Sequence, residues 1–402
     1  MKKYFLLAIV LLTALSCEQF KQVADIVDVT PINANVKVSV SSADADTPRP
    51  ASFTVRFINY GENFEISRTT DASGNVSADG LIPGVYTVTA TAESAGGGFT
   101  YYFSGSLTNI NILTGGQTFN IEVVSSKAGA LILKEIYFNG STGYYFKDQF
   151  YEIYNNSEDV QYVDGLGIGN ILPLQASTAT YNWEVPDGKP ENYIYLASIW
   201  QVPGDGNDFP VQPGESIIIA QIAQDHTAIK PTSPVDLSGA EFETFIVNQS
   251  VNPDNPNAHN MILAFDKGVF GTQWLVTVFG GAYAIFFPDS EIDPNGWVQP
   301  QGRTNQAYPI PIDCVTDAVE IVNNATKINQ KRMPTSLDAG ATYTGATYNC
   351  NSVSRKIRET KEDGRHIYMD TNNSTDDFQI NAVAMVRRNN PGVPSWNTWY
   401  KK

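Results

Sequence analysis

Two glutamates are the first residues to suggest chemistry. Glu135 and Glu152 each stand just before an Ile and a Tyr, in Glu135-Ile136-Tyr137 and Glu152-Ile153-Tyr154. A pair of carboxylates can serve as acid and base toward a glycosidic bond or hold a hard cation. The plainer reading is that each accepts hydrogen bonds from backbone or tyrosine groups at a strand end. Glu135 and Glu152 are therefore expected to be structural carboxylates, and no catalytic residue is expected. Two acidic loops carry a calcium flavour: Asp205-Gly206-Asn207-Asp208, and Asp370-Thr371-Asn372-Asn373-Ser374-Thr375-Asp376. In the second, Thr375 stands where an EF-hand needs its turn Gly, and Asn381 where it needs a bidentate Glu. Polar turns are the default there. Asp205, Asp208, Asp370 and Asp376 are the calcium alternative, and no other cofactor is expected.

Other chemistry has little support. His226, His259 and His366 are far apart, with no HxH or HxxxH spacing for a metal. No GxSxG, Ser-x-x-Lys, HExxH or P-loop is present. Of three cysteines, Cys17 falls at the end of an apolar leader, which leaves Cys314 and Cys350. In an oxidising compartment an even remainder suggests one disulfide. A metal pair is the rival, but two isolated cysteines without a nearby His make a poor zinc set.

Aromatic residues give the clearest binding signal. Tyr144-Tyr145-Phe146 sit in a loop where alternation does not demand burial. Trp183, Trp200 and Trp297 lie among Pro, Gly, Asn and Asp. Exposed aromatic faces suit sugar rings or a protein partner. The competing expectation is that these rings bury their own loops against a core.

The elements that must position these residues read as strands. Leu131 to Gly140 and Asp148 to Asn156 are β-rich runs joined by a Gly/Ser/Thr turn, and Tyr162 to Leu166 follows after a polar turn. No helix period fits, whereas adjacent strands do. Ser216 to Gln224 contains three consecutive Ile and reads as a buried strand. Upstream, Val36, Val38 and Val40 alternate with Lys37 and Ser39. Thr54 to Ile58, Gly84 to Ala90, Phe99 to Phe103 and Phe119 to Val124 continue the pattern, with turns at Asp71 to Asn75 and Pro83-Gly84.

Lys2 and Lys3 precede an apolar run, Tyr4 to Leu15, that is too short to span a bilayer, which needs ~20 residues. Ala14-Leu15-Ser16-Cys17 ends it. This start resembles a bacterial lipoprotein signal peptide, which implies that residues 1–16 are removed and Cys17 carries lipid. Net charge is 26 − 42 = −16 over 402 residues, with 17% charged and 11% aromatic residues. Such acidity argues against nucleic acid and against docking on anionic lipid.

Two modules resemble known families. Residues 33–126, through Asp71…Gly74…Val76…Gly80-Leu81…Pro83-Gly84…Tyr86…Val88, resemble the prealbumin-like sandwich of carboxypeptidase regulatory domains. Residues 127–402 resemble a lamin-tail domain, an immunoglobulin-like sandwich. That resemblance rests on Glu135-Ile136-Tyr137, Phe150 to Asn155, Val163 to Leu166, Pro213 to Ala220, Asp317 to Glu320, Ser354 to Lys356 and Asp370 to Phe378. Together the three resemblances imply an all-β chain: a signal peptide (1–16), a lipidated Cys and tether (17–32), a small sandwich, and a large one with insertions at about 170–212 and 221–312. The lamin-tail resemblance also implies a structural role for the two glutamates. The whole layout resembles Bacteroidetes-type lipoproteins associated with TonB-dependent uptake of nutrients. Three functions are carried forward: an accessory lipoprotein of such a transporter and its partner lipoproteins at the outer membrane surface, a free-standing glycan or peptide binder, and a hydrolase.

Overall fold

The structure, a computed structural model, describes residues 29–42, 47–96, 99–127, 129–179, 181–246, 252–267, 273–274 and 276–401. The leader and Cys17 lie outside the described residues. The fold is all-β.

The first sheet has seven strands in the order Phe64–Thr69, Thr54–Asn59, Gly84–Gly96, Phe99–Ile112, Gln117–Lys127, Ile32–Ser42, Asn75–Leu81. Its alternating residues Val36, Val38, Val55, Phe57, Val88, Phe103 and Ile121 close on one core. The turn at Asp71 is built by its side chain: Oδ1 accepts from the amides of Ser73 (2.9 Å) and Asn75 (2.8 Å). Gly74 lies at φ +82°, where a Cβ would stand 2.4 Å from the Val38 carbonyl, so only glycine fits.

The remaining chain forms two further large sheets packed face to face, with two two-stranded ribbons beside them, Gln161–Tyr162 with Pro210–Val211 and Ile357–Thr360 with His366–Tyr368. One large sheet orders its main strands Ser216–Ala220, Phe150–Asn155, Leu131–Tyr137, Ser352–Arg355, Phe378–Asn381, with the short strands Phe242–Glu243 and His259–Asn260 beyond Ser216–Ala220. The other runs Ile262–Asp266, Tyr193–Gln201, Gly167–Ile171, Gly280–Phe286, Val315–Val322, Thr342–Tyr343, and Tyr308–Pro311 pairs with the first half of Tyr193–Gln201. Between them lies a core that includes Leu133, Ile153, Ile217, Ile219, Trp200, Tyr283 and Val319.

The segments expected to be insertions contain strands. Tyr193–Gln201, Ile262–Asp266 and Gly280–Phe286 fall inside 170–212 and 221–312, yet they are integral strands of the second sheet, and Gly280–Phe286 is central in it. The additions are the segments between these strands. They cover the outer faces. Val235, Leu237 and Ala384 pack on Tyr137, Phe150 and Ile218 of one sheet. Ile292 and Met333 pack on Leu196, Ala284 and Phe286 of the other. With both faces of each sheet inside, strands such as Leu131–Tyr137 and Ser216–Ala220 are buried along their whole length, and polar residues on the outer faces must find partners.

The small sheet meets the sandwich through Arg56 with Asp376, Ser106 with the Ala339 carbonyl, and Arg358 with Tyr102 and Glu93. Tyr60 and Tyr343 pack edge to face across this seam, with ring centroids 5.7 Å apart.

Candidate functional site

Glu135 and Glu152 are direct cross-strand partners. The register slips between Leu133 and Glu135, so Lys134 is the extra residue of a bulge. The bulge turns both Lys134 and Glu135 toward the outer face while Leu133 and Ile136 remain in the core. Lys134 Nζ donates to Glu152 (2.8 Å) and to the Arg388 carbonyl (2.6 Å), and Ser216 Oγ donates to Glu152 (2.7 Å). Glu135 accepts from Arg388 Nε (2.8 Å), Ser352 Oγ (2.6 Å) and the Met385 amide (3.1 Å). Alongside, Arg387 and Asn397 hold the buried Glu241. Burial raises the Glu135 and Glu241 carboxyls and lowers the Lys134 ammonium. The C-terminal segment seals this network from solvent, so neither glutamate reaches a cleft.

Asp370 and Asp376 also point inward. Arg355 sits among three carboxylates: two bonds of 2.8 Å to Asp317, 3.2 Å to Asp370 and 3.3 Å to Asp377. Burial pushes Asp317 well above the usual carboxylate range and Asp377 to about 6. Asp376 is taken by Arg56 and by Asn373 (3.3 Å). In the other loop, Asp164 accepts from the amides of Gly206 (3.1 Å), Asp208 (2.9 Å) and Phe209 (3.0 Å), and Asp208 accepts from the Asp205 amide (3.0 Å). These are bonds of a polar turn. Among the described residues no group of three or more His, Cys, Asp or Glu is placed to hold a metal ion.

The expected disulfide is not formed. Cys314 and Cys350 are both free. Cys314 belongs to the apolar cluster on the outer side of the second sheet, whereas the Cys350 amide bonds the Asn139 carbonyl (2.9 Å) after a strand of the first. The sandwich stands between them, and no bond can reach across two sheets.

The aromatic candidates separate. Trp200 is 1% exposed and lies inside the sandwich near Trp274, which removes it as a surface binding residue. Tyr144 is buried as well, and its hydroxyl meets His226 Nδ1 at 2.9 Å. Tyr145 and Phe146 pack edge to face on each other, and Tyr145 on Tyr348. Local alternation gave no sign of these placements, because loop 141–147 folds onto residues 226–233, which are distant in sequence.

Trp183 does line a groove. Leu172, Pro173, Tyr181, Trp183, Glu191 and Tyr193 border one lobe of 340 Å³, with Arg332 in its floor. Leu172, Pro173 and Tyr181 continue into a second lobe of 560 Å³, bordered by Gln175, Lys267 and Thr304 to Gln306. The floor is firmly held. Arg332 pairs with the buried Glu320 (2.6 Å) and donates to the carbonyls of Pro173 and Leu174 (both 3.0 Å). The wall is a stack of planar groups. Trp183 lies 4.2 Å from Tyr195 at 6°. Tyr181 stands 5.8 Å from Trp183, and the Arg303 guanidinium 4.2 Å over Tyr181. The loop 184–192 is pinned by Tyr193 to Asp187 (3.1 Å) and by Tyr195 to the Pro190 carbonyl (2.8 Å). Trp297 is half-buried, and Nζ of Lys267, a residue of the second lobe, stands 5.9 Å from its ring.

Of the expected binding residues, the groove therefore collects Trp183, while Trp297 packs on the apolar cluster outside the second sheet. Sequence reasoning missed Tyr181, Gln175, Asn305 and Gln306. The alternation Tyr181-Asn182-Trp183 was the available signal for Tyr181; nothing marked the amides. Cavities of 440 and 810 Å³ also open at Tyr60, but their walls come from both the small sheet and the sandwich. The groove is built from the sandwich alone.

A family model described as a protein of unknown function, DUF4876, matches residues 212–385. The crystal structure of a DUF4876 family protein from Bacteroides thetaiotaomicron VPI-5482 is similar at 38% identity, covering 91% of this chain and 99% of that one, with a TM-score of 0.62. Slighter likenesses reach a putative adhesin from Bacteroides ovatus ATCC 8483 (9% identity, 72% and 86% covered, TM-score 0.18) and a DUF3823 family protein from Parabacteroides merdae ATCC 43184 (12%, 73% and 99%, 0.16). Likenesses that slight bear on neither fold nor function. No curated protein matches the sequence. Identity at this level over nearly the whole of both chains makes the protein a member of the DUF4876 family.

Proposed function

We propose that the protein is a non-catalytic, lipid-anchored binding component of the outer membrane, with the two-lobed groove as its ligand site. The supporting observation is a contrast. Glu135, Glu152, Asp370 and Asp376 are each held by basic or backbone donors. The groove, in contrast, is bordered by the side-chain amides of Gln175, Asn305 and Gln306, to which no hydrogen bond runs among the described residues. A ligand finds accessible polar groups in the groove, whereas both glutamates are fully buried.

Anchoring rests on Lys2, Lys3, the apolar run and Cys17. On the sequence resemblance, the small sheet is a prealbumin-like spacer and the sandwich a lamin-tail-like module. The same resemblance supports a TonB-dependent transporter as partner, with the protein on the cell surface.

The test uses the tagged full-length chain and its Cys17→Ser variant in the native host. The wild type is expected in the outer membrane fraction and the variant outside it. Mild-detergent pull-down of the wild type should recover a large β-barrel transporter in stoichiometric amount. Recovery of the chain alone would remove the transporter from the reading and leave a free-standing binder. Equal fractionation of the two chains would remove the anchor.

A further inference from the structure

We infer that the groove takes a neutral oligosaccharide. This rests on the groove being the ligand site, and it adds the ligand class.

The first argument is the chemistry left open. Gln175, Asn305 and Gln306 border the second lobe, and among the described residues no hydrogen bond engages their amides. Each offers two donor hydrogens and a carbonyl acceptor. A vicinal pair of hydroxyls, one donating and one accepting, matches such an amide at both ends. Ser177 adds a hydroxyl to the first lobe and Thr304 to the second.

The second argument is the apolar wall. A pyranose ring presents a flat apolar face of C–H groups, which stacks on aromatic rings. Arg303 already covers one face of Tyr181 at 4.2 Å, so a sugar packs against the rest of the apolar border that Tyr181 forms with Leu172 and Pro173 and leaves that guanidinium in place. Leu172 and Pro173 extend the apolar surface through both lobes.

The third argument is charge. Two cations of the groove are engaged by oxygen atoms. Arg332 is neutralised by Glu320. Lys331 Nζ donates to the carbonyls of Met333 (3.1 Å) and Asp338 (2.5 Å). Lys267 and Arg303 lie over the rings of Trp297 and Tyr181. A phosphate or an acidic sugar needs donors free to pair with its charge, and the exposed Glu191 at the first lobe opposes one. The chain as a whole is strongly acidic.

The fourth argument is shape. Two lobes that share Leu172, Pro173 and Tyr181 form a trough, with volumes typical of ligand sites. A trough suits a chain of rings more than a single small molecule.

The full-length chain in detergent is titrated calorimetrically with neutral hexasaccharides of glucose, mannose and xylose, a galacturonic acid hexasaccharide, and a flexible uncharged peptide. At least one neutral hexasaccharide should bind. Tyr181→Ala and Gln306→Ala should each weaken that binding by about tenfold or more. Both side chains lie outside the sandwich core, so both variants are expected to melt like the wild type. Tyr145→Ala, in a different loop, should bind like the wild type. Failure of every neutral hexasaccharide, or tighter binding of the acidic one, overturns the ligand class. If only the peptide binds and Tyr181→Ala abolishes it, the ligand class is wrong but the groove stands as the site. If a neutral hexasaccharide binds equally to both groove variants, the groove itself is refuted.

Discussion

Replacing Arg355 with Met should destabilise the protein strongly at pH 8 and much less at pH 5. Arg355 is buried and faces Asp317, Asp370 and Asp377 within 3.3 Å, and it also donates to the carbonyls of Leu133 (3.1 Å) and Met369 (2.7 Å). Met keeps most of the length and removes the charge. Three buried carboxylates are then left with no cation, and breaking a buried pair in this way costs about 3–5 kcal/mol. That is a large part of a total stability on the order of 10 kcal/mol. Acid relieves the cost. In the wild type, burial already raises the Asp377 carboxyl from 3.8 to about 6 and lifts Asp317 in the same direction. A carboxyl raised on folding contributes stability that is complete below its ordinary value near 3.8. That contribution is lost as pH rises through the folded value. For Asp377 the rise sets a ceiling of ~3 kcal/mol, at about 1.4 kcal/mol per pKa unit. Without Arg355 the carboxyls hold their protons to still higher pH, so the slope against pH steepens. Urea unfolding of both chains at pH 5 and pH 8 measures this. A loss under about 1 kcal/mol at pH 8, or a loss of equal size at pH 5, would refute the reasoning.

Two further outcomes follow from the described contacts. Cys314 and Cys350 are free, so the denatured chain should be alkylated at both without prior reduction, and reductant should leave the melting temperature unchanged; a pair that alkylates only after reduction would contradict the fold. In the native protein the half-buried Cys350 should react before the buried Cys314. Glu152→Gln removes the carboxylate that Lys134 and Ser216 hold, which should cost about 3 kcal/mol in urea unfolding, as expected of a broken buried pair. The same substitution should leave titrations of the groove unchanged, and an altered ligand affinity would return the glutamates to the functional site.

The amino-acid sequence by itself determined what depends on near neighbours. Alternation of apolar and polar residues made the chain all-β, and the Glu-Ile-Tyr runs placed Glu135 and Glu152 on adjacent strands, where the register pairs them. The turn at Asp71 to Asn75 was legible because its side chain and Gly74 act within five residues. The three Ile at 217–219 announced a buried strand.

Only the tertiary structure decided what each face of those strands meets. Alternation assigns a residue to one side or the other, but here both sides are inside, so it did not separate buried from exposed. Trp200 and Tyr144 therefore looked available and are buried, while Tyr181 looked ordinary and lines the groove. Strands inside the expected insertions pair into the second sheet, which their sequence did not announce for the same reason: a short apolar run does not reveal its partners. The cysteines were matched by count, yet a bond needs two Cα atoms within about 7 Å, and the sandwich keeps these on different sheets. Glu135 finds Arg388 across 253 residues, and Arg332 finds Pro173 across 159. Contacts of that span carry no local period, because they are fixed by how the sheets and their covers close on one another.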